Sequence, residues 1–166
     1  YAGKYVAYPF YYETSALLYN STYMQESEMS VPETIDDILA FANEYDAPEQ
    51  VEAVFKWDVS DIFYNYYFTG NYMIVGGEAG DDLENVDIYN DKTRECLQVY
   101  QNLNQFFSID TKEVTYDSVL QDFIDGKILM TVATSDAIGK LEQAKEEGAF
   151  AYEYGIARMP DLTDHL

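Results

Sequence analysis

Cysteine is almost missing from this chain. Only Cys96 is present among 166 residues, which excludes an intrachain disulfide framework and a cysteine-based zinc site. Basic residues are nearly as scarce: 9 Lys and Arg stand against 31 Asp and Glu, for a formal net charge of −22. Binding to a nucleic-acid backbone or to an anionic membrane surface needs clustered Lys and Arg, so both are excluded as partners. The one histidine, His165, lies one residue from the end, where a catalytic base is poorly held, and this argues against Ser-His-Asp and Cys-His chemistry. No apolar run approaches the roughly 18 residues that span a bilayer, and no basic-then-apolar leader opens the chain. The chain begins on Tyr1 rather than Met and reads there as an incoming strand. It is therefore expected to be cut from a longer protein, with any signal or lipid anchor upstream.

What is present in abundance is apolar and aromatic: 48% of residues are hydrophobic and 16% aromatic. That is enough for one ordinary domain with a real core, and it argues against disorder. Tyr5 to Pro9 and Thr14 to Tyr19 read as strands, the second closed by Asn20-Ser21. Ile35, Ile38, Leu39, Ala42 and Tyr45 recur at helical spacing behind Pro32, with Thr34 as N-cap and Asp37 three residues on. Val51 to Trp57 reads as a strand, and Ile62 to Tyr67 as an aromatic helix ended by Gly70-Asn71. A polar, Gly-containing loop precedes a long helix capped by Asn90, with Leu97, Tyr100, Leu103 and Phe107 on one face.

Thr115 to Asp125 forms the next helix, with Val119, Leu120, Phe123 and Ile124 inward and Gly126 just past its end. Directly after it "KILMTVATSD" runs through Ile128 to Ala133, a continuous apolar strand, and stops on Thr134, Ser135 and Asp136. In an open α/β sheet such a strand end is where a ligand is held. Ala137 to Glu147 reads as a surface helix ended by Gly148, and Tyr154 to Met159 as a last strand stopped by Pro160. Strands alternating with helices define an α/β fold class with a central sheet.

These residues resemble one family in four places, in order along the chain. "GKYVAYP" followed by Leu17-Leu18-Tyr19-Asn20 is similar to a strand pair crossing between lobes, and Pro32 with Thr34 ahead of Asp36-Asp37 resembles a Pro-x-Thr-Trp-Asp-Glu helix start, Ile35 replacing the Trp. Phe123, Gly126, Lys127 and Met130 match a Phe-x-x-Gly-Lys-x-x-Met signature, and Tyr154-Gly155-Ile156 to Pro160 a closing Tyr-Gly-Val…Pro strand. The family is that of the extracellular solute-binding proteins of ATP-driven sugar importers, the maltose-binding-protein-like group. The resemblance implies one lobe of a periplasmic-binding-protein-like (type II) fold, a central mixed sheet flanked by helices. Residues 1–166 would form a single lobe, with 1–10 a hinge-side strand and 161–166 a tail toward the part not present. It implies hinge closure around a small-molecule solute, most simply a carbohydrate. The implied partner is the permease of an ABC transporter, and the implied protein is a monomer with no cofactor. The implied location is the periplasm, or the outer face of the cell membrane by way of a lipid anchor.

The candidate ligand-binding residues are Glu13, Trp57, Asp58, Tyr64, Ser135 and Asp136. A sugar site stacks aromatic rings on the apolar face of the pyranose and accepts hydrogen bonds from its hydroxyls with carboxylates or amides. Asp58 matches the family's acidic contact and Glu13 falls where a hydroxyl-binding acid is expected. The ring would come from Trp57 or Tyr64, because Ser60 stands where the family has an aromatic residue. At Thr134-Ser135-Asp136 the family commonly has Gly-x-Trp, and the departure also suits a polar or cationic solute. Each residue has a plain structural alternative. Trp57 can be core packing, Asp58 and Asp61 helix caps, Ser135-Asp136 a cap for the helix from Ala137, Glu13 solvated, and the Tyr64, Tyr66, Tyr67 run core and rim. Paired carboxylates, Asp58 with Glu13 or Asp136, also leave open a glycoside hydrolase. The acidic stretch from Glu78 to Asp91 lacks the spacing of a calcium loop and reads as a solvated face. Cys96 and Met130 read as core.

Overall fold

The fold is described from a computed structural model over residues 4, 5, 7, 8, 10, 11, 13–60, 69–77, 79–107, 110 and 112–162. Its centre is a four-stranded mixed sheet in the order β2-β5-β1-β6. Strand β1 (Ser15–Asn20) runs antiparallel to both its neighbours, β5 (Ile128–Thr134) and β6 (Tyr154–Ala157), whereas β2 (Ala53–Phe55) runs parallel to β5. The C-terminal ends of β2, β5 and β6 therefore share one end of the sheet with the N-terminal end of β1. Leu17 pairs with Val132 and Ala157, and Ser15 with Thr134, so the register brings the start of β1 beside the end of β5.

The apolar run of β5 is explained by burial on both faces, Ile128 to Ala133 being buried throughout. One face carries α2 (Ile35–Glu44) and α3 (Asp91–Phe106), packing Ile35, Ile38, Phe41, Cys96 and Leu103 with Leu17, Phe55, Trp57 and Met130. The other carries α4 (Tyr116–Ile124) and α5 (Ala137–Glu146), packing Val119, Leu120, Phe123 and Leu141 with Leu18, Ile128 and Ala133. Neighbours Leu17 and Leu18 thus serve opposite cores, as the two-residue period of a strand requires. Cys96 lies in the first core, and burial pushes its thiol up to about 11.

The helix starts are chemically explicit. Thr34 and Asp37 form a reciprocal capping box, and the Thr34 backbone N–H, 2.9 Å from the Asp37 carboxylate, holds that carboxyl below its usual range. Asn90 accepts from the Thr93 N–H, and Thr115 from that of Ser118. Two helices stop in the same way. Gly126 after α4 and Gly148 after α5 both sit at φ +72, and the following residues Lys127 and Ala149 bond back to the carbonyls of Asp122 and Ala144. This is the Schellman ending, for which glycine is suited because it has no Cβ.

Several expectations are corrected. The strand expected over Tyr5–Pro9 is not formed at Tyr5, Ala7 or Tyr8, which are exposed; no strand lies beside them among the described residues to satisfy their backbone groups. Asn20-Ser21 does not close the second strand into a loop, because Asn20 caps a short helix, α1 (Ser21–Glu26), through the Tyr23 N–H. Leu97 is 47% exposed, and the inward face of α3 is instead built on Cys96, Tyr100, Leu103 and Phe107. Part of the expected loop is a two-stranded ribbon, β3 (Ile74–Val75) with β4 (Val86–Asp87), after a 3₁₀ turn at Gly70–Tyr72. The helix from Ala137 is not purely superficial, for Ala137, Leu141 and Ala144 are buried. Of the expected tail over 161–166, Asp161 bridges to Thr34 and Leu162 is buried, and 163–166 lie outside the described residues. Asp61, the helix at 62–67 with Tyr64, Tyr66 and Tyr67, Glu78 and His165 lie outside the described residues.

Candidate functional site

Because β1 is reversed in the sheet, Glu13 and Thr14 ahead of it, Lys56 to Ser60 after β2, and Thr134 to Asp136 closing β5 all reach the same end. The ladder runs on past the strands: the Ser135 N–H donates to the Thr14 carbonyl at 3.1 Å, and the Lys56 N–H to that of Met130 at 3.2 Å. Helices α4 and α5 begin at this end too, since α4 leads back to the start of β5 and α5 follows its finish.

The predicted residues divide into those that face solvent and those that do not. Glu13, Ser135 and Asp136 are exposed. Trp57 is 0% exposed, its ring stacked on Phe55 at 4.9 Å between centroids and met edge-on by Tyr100 at 5.9 Å. As placed it offers no ring face to a solute, so the stacking role expected for it gives way to the core alternative. Asp58 is 7% exposed, and its Oδ1 accepts from the Ser60 N–H at 3.0 Å and from the Ser60 hydroxyl at 2.7 Å. It shapes the turn after β2 and lies beneath the surface rather than on it. Tyr100 ties the same turn down, its hydroxyl donating to the Val59 carbonyl at 3.2 Å; burial raises its pKa.

Asp136 does not take up the alternative role of helix cap. A capping residue needs extended backbone so that its side chain can reach the N–H groups ahead of it. Asp136 already has helical angles, φ −66 and ψ −27, and makes no side-chain cap. Its carboxylate turns to α4 and β5 instead: Oδ1 accepts from the Tyr116 hydroxyl at 3.1 Å and from the Thr134 hydroxyl. The two hydroxyl oxygens stand 3.3 Å apart around it. Lys140, one turn into α5, lies over the Tyr116 ring at 5.2 Å and pairs with Asp117 at 2.8 Å. Its pKa is raised above the usual lysine value, chiefly by the hydrogen bond the ammonium donates to Asp117, with a further contribution from the charge of Asp136.

Tyr116 was missed by sequence reading. The available signal was topological: a helix that leads into a strand begins where that strand ends, so the first residue of α4 belongs beside the last of β5. A separate groove of about 440 Å³ lies along β6, lined by Tyr19, Val31, Pro32, Glu33, Arg158 and Met159 among others; it includes none of the predicted residues. Among the described residues no group of three or more His, Cys, Asp or Glu side chains is arranged to hold a metal ion, and no helix is long and apolar enough to cross a membrane.

A mixed α/β sheet that gathers polar side chains at one end is an arrangement that can hold a small solute. A family model for bacterial extracellular solute-binding proteins matches residues 1–164, and the chain belongs to that family. Among solved structures it is similar to the Thermus thermophilus maltotriose binding protein bound with maltotriose, at a TM-score of 0.68 and 22% identity, over 92% of this chain. That match establishes the fold as that of a type II periplasmic binding protein. The chain spans 38% of the length of that protein. No curated protein matches it.

Proposed function

We propose that this chain supplies one lobe of a two-lobed receptor that binds a sugar or oligosaccharide between its lobes and presents it to an ABC importer at the cell's outer face. The observation that carries the reading is the gathering of exposed Glu13, Ser135 and Asp136 at one end of a sheet whose reversed central strand brings the chain in at that same end. Carboxylates and hydroxyls at that end suit a solute rich in hydroxyl donors. The family and the maltotriose-binding neighbour support a binding role over catalysis and give no support to a glycoside hydrolase. Asp58, committed to Ser60, serves the site by fixing the turn after β2. A periplasmic or lipid-anchored location and a monomeric state belong to the same reading.

The test is a thermal-shift screen of the full-length protein against maltotriose, glucose, glucuronate, amino acids and putrescine. A solute at about 100 times its dissociation constant adds about 2.7 kcal/mol, a shift of a few degrees. Stabilisation by a neutral sugar without its turnover supports the receptor; release of sugar from an aryl glycoside, or no stabilisation by any member of the panel, refutes it.

A further inference from the structure

The ribbon of β3 and β4 stands outside both cores, yet it is firmly built. Its base is pinned to the start of α3, where the Tyr72 carbonyl accepts from the Asn90 side chain at 2.8 Å and from the Thr93 hydroxyl at 2.9 Å. Its tip is closed by backbone hydrogen bonds, the Gly76 N–H donating to the Asn85 carbonyl at 2.8 Å and the Asp82 N–H to that of Gly76 at 2.9 Å. Only glycine serves at 76, with φ +82 and a Cβ that would fall 2.6 Å from the Gly80 backbone. What this shaped tip displays is apolar: Leu83 is 84% exposed, Val75 64%, and Val86 and Ile88 54% each. Val75 and Val86 are cross-strand partners and share one face, with Ile88 two residues further along it. Among the described residues the outer edges of both strands are open.

We propose that this ribbon is a docking surface for a partner protein that offers an apolar pocket rimmed by Lys and Arg, with Leu83 as the inserted side chain. Asp81 and Asp82 precede Leu83 and Glu84 follows it, Asp87 separates Val86 from Ile88, and no Lys or Arg occurs between Gly76 and Asp91. A second copy of the chain would set these carboxylates against their own kind in a protein of net charge −22, and its Lys56, Arg94, Lys140, Lys145 and Arg158 are already paired within the lobe. An anionic bilayer is repelled for the same reason. Permanent cover by another part of the same receptor calls for a more uniformly apolar face, since Asp and Glu are depleted at the core of lasting contacts. Apolar residues interleaved with carboxylates suit a partner that comes and goes, steered in by charge and held by the seated leucine. The proposal concerns a surface separate from the sheet-end residues and stands whatever solute those residues bind.

Fluorescence anisotropy of labelled short peptides with the full-length protein tests this, using alternating Lys-Leu, Glu-Leu and Lys-Ser sequences as probes. The Lys-Leu peptide is expected to bind best and to weaken as salt is raised. Leu83→Ser combined with Val86→Thr, at exposed positions that leave the melting temperature unchanged, is expected to weaken Lys-Leu binding about ten-fold or more. Leu97→Ser, which removes a half-exposed apolar side chain from α3 instead, is expected to leave it unaltered. No binding of the Lys-Leu peptide, equal binding by the ribbon variant, or an equal loss in Leu97→Ser overturns the proposal. So does each of the other occupants: a mass that doubles with concentration in wild type but not in the ribbon variant, co-sedimentation with phosphatidylglycerol vesicles, or a Leu83→Cys thiol that stays closed to maleimide in the full-length protein alone.

Discussion

Gly126 and Gly148 form a natural pair for separating backbone strain from collision. Both occupy the position after a helix end at φ +72, within the same hydrogen-bond pattern. A Cβ at Gly148 meets nothing within 4 Å, whereas a Cβ at Gly126 falls 2.4 Å from the Tyr152 ring. Gly148→Ala therefore carries the left-handed backbone cost alone, about 1 kcal/mol. Gly126→Ala carries that cost and must also displace Tyr152, whose ring is tilted against Tyr23 at 5.0 Å and whose hydroxyl accepts from Tyr23 at 3.0 Å, with Gln50 donating to the Tyr23 hydroxyl in turn. Losing that hydrogen bond and part of the ring contact adds about 1–2 kcal/mol. The expected total is about 2–3 kcal/mol, measured as the shift in urea midpoint at constant m-value. In a Tyr152→Ala background the excess of Gly126→Ala over Gly148→Ala is expected to vanish, since the colliding ring is absent. Equal costs for the two single substitutions in the wild-type background would refute the argument that Tyr152 packs over Gly126.

Two further outcomes follow from burial. Trp57 is the only tryptophan and has no exposed surface; native fluorescence is expected to be blue-shifted and to move to the red on unfolding, and Trp57→Ala to lower stability by about 3–5 kcal/mol in a denaturant titration. A solvent-like native emission would remove the ring from the core. Tyr152 and Tyr154 are both raised from 10.0 to about 12, the first chiefly by its hydrogen bond with Tyr23 and then burial, the second chiefly by burial and then its bond to Glu142. A tyrosine whose folded pKa lies above its unfolded value contributes stability that is complete below about pH 10 and fades as the pH rises toward 12. Ultraviolet titration of the phenolates, followed alongside the unfolding midpoint, is expected to show Tyr152 and Tyr154 among the late-titrating tyrosines and a fall in stability across that window; titration of every tyrosine near 10 would contradict it.

Much of the fold was legible because its signals are local. The capping boxes at Thr34 and Thr115, the Gly126 and Gly148 stops and the continuous apolar run of β5 each state their structure within a few residues. What was hidden depends on distant partners. Tyr5, Ala7 and Tyr8 lie in a stretch of strand composition but lack a neighbouring strand among the described residues, so they form none. Trp57 and Asp58 read as ligand contacts because a strand ends where the resemblance implies an aromatic and an acidic contact, yet the ring is covered by Phe55 and Tyr100 and the carboxylate is turned into Ser60. For Asp136 the residue type fitted a cap, and only the backbone angles and the arrival of Tyr116 from another helix show that it does something else.

The reversed central strand also governs how this lobe comes into being. Strand β1 is made well before the residues it must pair with, such as Thr134 for Ser15 and Ile156 for Leu18, which follow on the order of a hundred positions later. Until they are made, an apolar strand with two open edges waits without a partner, prone to pair with another chain. Nor can β6 dock before β1, since among the described residues it joins the sheet only through β1. Closure of the sheet is thus a long-range event, and a nascent or unfolded chain stays adhesive until β5 and β6 are both available.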